Sequence, residues 1–249
     1  MSQRLSYASV GVDIDQTDAA KREMAKSMET NDPRVLNRIG AFATLIDASF
    51  PGIAHPVLVH KSEEPGSKQK LAFAHGRHRS VCYDMVNHLI DDIIVMGAVP
   101  VSIQDVIVCG TLEGTIASDL VDAMSDACRQ QDCTLTGGET SVQPGVVPDG
   151  LYVLTASVIG VVDKYKIIDG GTIKAGDQVI VLASNGLHTN GYTLVRALLE
   201  RKPDLLEQDV AGESFLESVL KPHTCYFQPL RGIFADPGLH GMAHITGGG

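Results

Sequence analysis

The chain has 249 residues, 44% hydrophobic and 20% charged, a globular composition with room for one large domain or two small ones. A net charge of −10 leaves no basic face for a nucleic-acid backbone, and Met1-Ser-Gln-Arg-Leu-Ser-Tyr7 lacks the apolar run of a signal peptide. The longest apolar run, residues 151–162, is too short to span a bilayer, so no membrane partner is expected.

Residues 17–29 read as a helix, with Thr17 as its cap and Asp18 in the first turn, where the helix dipole favours a carboxylate. Asn31-Asp-Pro33 ends it, because the residue before proline avoids the α region. His55-Pro-Val-Leu-Val59 reads as a strand that empties into Ser62-Glu-Glu-Pro-Gly-Ser-Lys68, a loop with two carboxylates, a hydroxyl and an ammonium. Such an exit is a common holder of phosphorylated ligands. Across 79–96, Val81, Met85, Val86, Leu89, Ile93 and Met96 recur at three- and four-residue spacing, one face of a helix closed by Gly97 and then Pro100.

Residues 101–108 are rich in β-branched side chains and read as a strand; 119–131 read as an amphipathic helix. A short strand at 133–136 leads into Gly137-Gly-Glu-Thr140, and 152–162 is expected to be a strand buried on both faces or nearly so. After Lys164 a turn-rich stretch introduces a strand at 178–183, the loop Ser184-Asn-Gly-Leu-His-Thr-Asn-Gly191 and a helix at 192–200, which places a domain boundary near residue 165. His240-Gly-Met-Ala-His-Ile-Thr-Gly-Gly-Gly249 reads as a strand running into a triple-glycine loop. Three glycines suit a turn into a further element, so a chain broken off within its second domain is expected, with a flexible tail as the alternative.

Five cysteines, Cys82, Cys109, Cys128, Cys133 and Cys225, form no CxxC pair and read as reduced thiols of a cytoplasmic protein. Asp84, Asp91 and Asp92 share one broad face of the 79–96 helix. The last two sit among Leu89, Ile90, Ile93 and Ile94, where an unpaired carboxylate is costly to bury. Spacing alone leaves both a Mg2+ site and a solvated helix edge open. Gly137-Gly138 after a strand can bring backbone amides to a phosphate and leave Glu139 for a metal or a ribose, although such turns are common. His188 and Asn190 precede a helix, where His188 is equally a hydrogen-bonded turn residue or a catalytic one. No GxSxG, Walker A or HExxH pattern occurs.

Taken in order, Gly11-Val-Asp-Ile-Asp15, the strand and loop to Lys68, Asp84 with Asp92, Gly97-Ala-x-Pro100, Gly137-Gly-Glu-Thr140, Gly160-Val-Val-Asp-Lys164, His188-Thr-Asn-Gly-Tyr-Thr-Leu-Val-Arg196 and Ala243-His-Ile-Thr-Gly-Gly-Gly249 form a pattern. It resembles aminoimidazole ribonucleotide synthetase, the phosphoribosylformylglycinamidine cyclo-ligase family of de novo purine synthesis, collinearly over essentially the whole chain.

The resemblance implies an α/β fold of α+β type. Residues 1–164 would form an ATP-binding, dimer-forming domain whose strands close a shared barrel with a second subunit, and 165–249 a partial C-terminal α/β domain. It implies a homodimer using ATP and Mg2+ on a small-molecule nucleotide substrate: phosphorylation of the formyl amide oxygen of formylglycinamidine ribonucleotide, then ring closure with loss of phosphate. By position, it makes His188 and Lys68 catalytic and Glu63 and Asp92 metal ligands. It sets Gly66, Ser67, Lys68, Asp105, Gly137, Gly138, Glu139 and Asn190 around the nucleotide, and brings the 247–249 turn toward phosphate or substrate.

The chain also departs from the family. In place of Thr-Asp-Gly-Val-Gly-Thr-Lys it carries Ser62-Glu-Glu-Pro-Gly-Ser-Lys68; an Asn-Asp pair has become Asp91-Asp92, and Thr-Arg has become His223-Thr224. Each change is expected to weaken anion binding. A non-catalytic dimeric paralogue of the fold and a relative phosphorylating another small molecule are the alternatives, the second opposed by Gly137-Gly-Glu-Thr140.

Overall fold

The computed structural model describes residues 14–37 and 39–247; Gly11, Val12 and Asp13 of the first motif and Gly248 and Gly249 of the last lie outside the described residues. Helix α1 (Ile14–Ser27) starts earlier than its sequence suggests, so Thr17 is inside the helix and Asp15 is the first-turn acid. Strand β1 (Pro56–Glu63) continues through Ser62 and Glu63, which shortens the expected loop to residues 64–67. A short helix, α2 (Lys68–Ala74), follows it, then α3 (His78–Ile94).

Helix α3 is the spine of the molecule. Val81, Met85, Val86, Leu89, Ile90 and Ile93 are all fully or almost fully buried. Each such side chain contributes about 1.5–3 kcal/mol of hydrophobic stabilisation. The helix ends as its composition predicts, with Gly97 at φ +77°. Pro100 does not follow in a loop; it lies near the start of strand β2 (Val99–Cys109), beside a register shift between Pro100 and Ser102.

Helix α4 (Gly114–Gln130), strand β3 (Thr134–Val142) and strand β4 (Tyr152–Asp163) complete the first unit. The sheet order is β1-β4-β2-β3, with β2 parallel to β3 and the other pairs antiparallel. Helices α3 and α4 cover one face, and α1 packs on α4. The other face is open. Leu58 and Val153 are exposed there, so β4 alternates between buried and partly or fully exposed residues from Tyr152 to Ile159 and is buried on both sides only from Gly160 to Asp163. Gly137-Gly-Glu-Thr140 is not a turn either: all four residues lie within β3.

Beyond Lys166 the described residues hold helix α5 (Tyr192–Arg201), as expected, and the two-residue strands β5 (Asp209–Val210) and β6 (Glu213–Ser214). The short helices α6 (Phe215–Val219) and α7 (Phe227–Leu230) follow. The strands expected at 178–183 and from His240 onward are absent among the described residues. Val179, Ile180 and Val181 are 90%, 85% and 83% exposed, with no neighbouring strand to accept their backbone hydrogen bonds. No C-terminal α/β sheet is formed by these residues. Among the described residues no helix is long and apolar enough to cross a membrane.

Candidate functional site

Four of the residues in question are fixed by strand register. Glu63 pairs with Ala156, Ala156 with Asp105, and Asp105 with Gly138, so they form one rung across the sheet. Three strand spacings separate Glu63 from Gly138, about 14 Å. Residues level with one another point to the same face, here the face under the helices, where Ala156 and Asp105 are buried. Glu139 is the next residue along β3, level with Val106, and belongs to the open face. The structure therefore brings Glu63, Asp92 and Asp105 to one side of the sheet and leaves Glu139 on the other.

Asp105 has no exposed environment in which to meet a nucleotide. Burial pushes its carboxyl up to about 7, partly opposed by a hydrogen bond from its own backbone N–H. Its side chain also explains Gly138: a Cβ there would fall 2.4 Å from Asp105 Oδ1 and 2.2 Å from Asp105 O. The glycine permits close approach of two strands.

The two predicted metal ligands do converge. Lys61 Nζ lies 3.1 Å from Glu63 Oε2 and 3.2 Å from Asp92 Oδ2. Two carboxylates thus share one cation, the arrangement a Mg2+ ion needs from a protein when water and phosphate supply the rest of its shell. Glu63 and Asp92 are the pair that could hold such an ion. Lys61 was missed from sequence, although two-residue spacing puts it on the same strand face as Glu63. Burial opposes the Asp92 charge, but His244, His88 and Lys61 together hold its carboxyl below the usual range.

The loop at 64–67 satisfies itself. Glu64 Oε2 accepts the Gly66 N–H at 2.7 Å, and Pro65 has none to offer. Gly66 adopts φ +65°, and a Cβ there would press on Thr189 O at 3.1 Å. Ser67 precedes α2 without capping it through its side chain. Lys68 points inward. Its ammonium donates to Asp84 Oδ1 at 2.9 Å, to the His188 carbonyl at 2.9 Å and to the Lys221 carbonyl at 2.6 Å, so its three N–H groups are all used. The residue expected to touch nucleotide is instead the tie between α2, α3 and the later chain.

Beside Asp92 lies a group of imidazoles. His188 stacks on His223 with ring centroids 4.0 Å apart; His88 and His244 lie 5.3 and 5.4 Å from His223. His188 sits at φ +52°, a left-handed conformation that a histidine adopts at some cost. Burial, reinforced by His223, lowers its pKa to about 4, so it is a neutral imidazole at pH 7 with an unpartnered Nε2. Burial likewise lowers His223 to about 3 and pushes the Asp91 carboxyl up to about 7. Thr189 Oγ1 and His88 Nδ1 are hydrogen bonded at 2.9 Å, while Asn190 donates to Thr246 Oγ1 next to Gly247. His88 was legible as a four-residue neighbour of both Asp84 and Asp92 on α3; His223 stood out only as a departure from the family pattern, with no spacing to tie it to a site.

Residues 58–162 match the N-terminal domain of the AIR synthase related protein family, and residues 174–249 match its C-terminal domain. The phosphoribosylformylglycinamidine cyclo-ligase of Nitrosospira multiformis is 40% identical over 246 residues, spanning 98% of this chain and 70% of that protein. That of Burkholderia vietnamiensis is 41% identical over 249 residues, spanning 100% of this chain and 71% of that protein. The chain belongs to the phosphoribosylformylglycinamidine cyclo-ligase family.

Solved structures share the fold at lower identity. The hydrogenase maturation protein HypE of E. coli superposes with a TM-score of 0.58 at 14% identity, covering 89% of this chain and 62% of that one. Thiamine-monophosphate kinase from Stenotrophomonas maltophilia gives 0.50 at 18% identity, covering 91% and 61%. Asp91 and His223 lie together in the imidazole group beside Asp92, with His223 Nε2 3.2 Å from Asp91 Oδ2.

Proposed function

We propose that the chain is an ATP-dependent cyclo-ligase that converts formylglycinamidine ribonucleotide to aminoimidazole ribonucleotide, ADP and phosphate. The observation that carries this reading is 40% identity to a named cyclo-ligase over 98% of the chain. Glu63 and Asp92 would hold Mg2+, which when bound neutralises triphosphate charge. Lys61 keeps the two carboxylates together in its absence and supplies a cation at the same rim.

The remaining roles follow from placement. His188 is neutral, so its part toward substrate would be that of a hydrogen-bonding imidazole rather than of a cation. Lys68 is a positioning residue, because it holds the His188 carbonyl and has no donor left for phosphate. Gly66 and Ser67 shape the turn into α2, and Asn190 with Thr246 and Gly247 forms the opposite rim. Gly137, Gly138 and Asp105 set the packing of the rung beneath. Glu139 serves a nucleotide only where a second subunit closes over the open sheet face, and we place a homodimer contact there, on Leu58 and Val153. Five free cysteines suit a cytoplasmic protein.

The test is direct. Purified protein with formylglycinamidine ribonucleotide and Mg-ATP is expected to form aminoimidazole ribonucleotide and ADP in equal amounts. Asp92→Asn is expected to weaken Mg-ATP binding in calorimetry. No ADP, together with no nucleotide binding at millimolar Mg-ATP, would overturn the reading.

A further inference from the structure

Helix α3, the segment after α6 and the closing segment around His244 meet below the Asp92 rim, and they leave ligand atoms without partners. Asp91 Oδ2, both ring nitrogens of His223 and Nε2 of His244 are buried and make no hydrogen bond. Buried polar groups normally find a partner, so the three that can converge, Asp91 Oδ2, His223 Nε2 and His244 Nε2, call for a shared occupant. Asp91 and His223 are 2% and 1% exposed, so bulk solvent does not reach them.

The spacing matches an ion. His223 Nε2 and Asp91 Oδ2 face each other at 3.2 Å without hydrogen-bonding geometry, and one ligand atom from each of Asp91, His223 and His244 lies within 4.8 Å of the other two. A tetrahedral ion held at about 2.0–2.1 Å sets its ligand atoms about 3.3 Å apart. We propose that Asp91, His223 and His244 form a divalent transition-metal site of the Zn2+ class, with two imidazole nitrogens, one carboxylate oxygen and a fourth position for water.

His244 has the support expected of a metal ligand. His244 Nδ1 donates to Asp92 Oδ1 at 2.9 Å, which fixes the ring and leaves Nε2 for the ion. His88, Asp92 and His244 form a second possible set, but Asp92 is engaged there by Lys61 and His244, and His88 Nδ1 by Thr189. Each residue of the first set, by contrast, has an unpartnered ligand atom: Asp91 Oδ2, His223 Nε2 and His244 Nε2. Imidazole donors select Zn2+-like ions over Mg2+, so this site differs in chemistry from the Glu63–Asp92 rim. Its ligands come from α3 and from two much later segments, so the ion would clip the end of the chain onto the spine of the first unit.

The experiment uses tag-free full-length protein, stripped with a chelator, dialysed and titrated with Zn2+ by calorimetry without nucleotide. The expected result is one Zn2+ per chain, undisturbed by excess Mg2+, with a raised Tm on loading. Asp91→Asn should lose tight binding, and Asp92→Asn, which frees the His244 ring, should weaken it by about 10–100-fold. Glu63→Gln should leave Zn2+ affinity unchanged. No bound Zn2+, or equal affinity in wild type and Asp91→Asn, overturns the site. Should Asp91→Asn fail to fold, a zinc-edge anomalous map of Zn2+-soaked wild-type crystals decides: density between the three side chains supports it, and density elsewhere or none rejects it. Because every readout is nucleotide-free, failure of the cyclo-ligase reaction leaves this result standing, and the reverse holds too.

Discussion

Lys68 and Asp84 form a fully enclosed ion pair: the Lys68 ammonium lies 2.9 Å from each Asp84 oxygen, and both side chains are 0% exposed. Burial is the larger influence on both, pushing the Asp84 carboxyl up to about 6 and the Lys68 ammonium down, while each holds the other charged. Asp84 Oδ1 also accepts the His223 N–H at 2.7 Å, so the pair fastens the late chain to α3. Removing one partner strands a buried charge, whereas removing both does not. Lys68→Met and Asp84→Asn are each expected to cost about 3–5 kcal/mol in urea unfolding. The double variant should cost clearly less than the sum. Additive losses would mean the two side chains act independently.

Asp105 gives the stability a pH dependence of defined sign. Its carboxyl titrates at about 7 in the fold against 3.8 when free, so between those values the folded state keeps a proton that the unfolded state has lost. Stability is therefore fully present below pH 3.8 and falls as pH rises to about 7. Asp84 and Asp91 shift in the same direction, so the wild-type curve holds all three contributions. Asp105→Asn should remove part of the slope, with an amplitude of a few kcal/mol, in unfolding free energies measured across that range. Parallel curves for the two proteins would exclude Asp105 as a source.

The Asp105–Gly138 contact predicts a steep local sensitivity. Gly138→Ala places a Cβ 2.2 Å from backbone oxygen, which cannot rotate away, and should cost about 1–3 kcal/mol or more. Gly232→Ala is the matched control: nothing lies within 4 Å of its Cβ position, and a gain of up to ~1 kcal/mol is expected. Thermal unfolding of the two variants checks both. Equal behaviour would mean β2 and β3 can part at this rung.

How much of this was legible depended on whether the deciding contacts were local. The helix of Val81, Met85, Val86 and Leu89 was readable because one buried stripe repeats at the helical period. Helix α2 was not: its seven residues are too few to show a period. Gly137-Gly138 read as a turn because glycine is the usual turn residue, yet here it is the contact across the sheet that excludes a side chain. Residues 178–183 had strand composition, but a strand also needs a neighbour, which no local pattern reports. At the site, the family pattern named Glu63 and Asp92, which the fold sets against the same Lys61, whereas Lys68 was expected at the ligand and is buried against Asp84. The group around His223 joins residues far apart in sequence, so only the fold assembles it.

Lys61 provides the sharpest test of where Mg2+ sits. Its ammonium is shared by Glu63 and Asp92, so a dication bound by the same carboxylates must displace it. Lys61 is 40% exposed at the side chain, which limits the two contacts together to roughly 1 kcal/mol. Lys61→Met should therefore tighten binding of free Mg2+ by about fivefold in calorimetry, since 1.4 kcal/mol corresponds to about tenfold. The same substitution should weaken ATP measured without Mg2+, because a cation has left the rim. Unchanged Mg2+ affinity would place the ion away from Glu63 and Asp92, and a loss of Mg2+ affinity would show that Lys61 organises the carboxylates rather than competing for them.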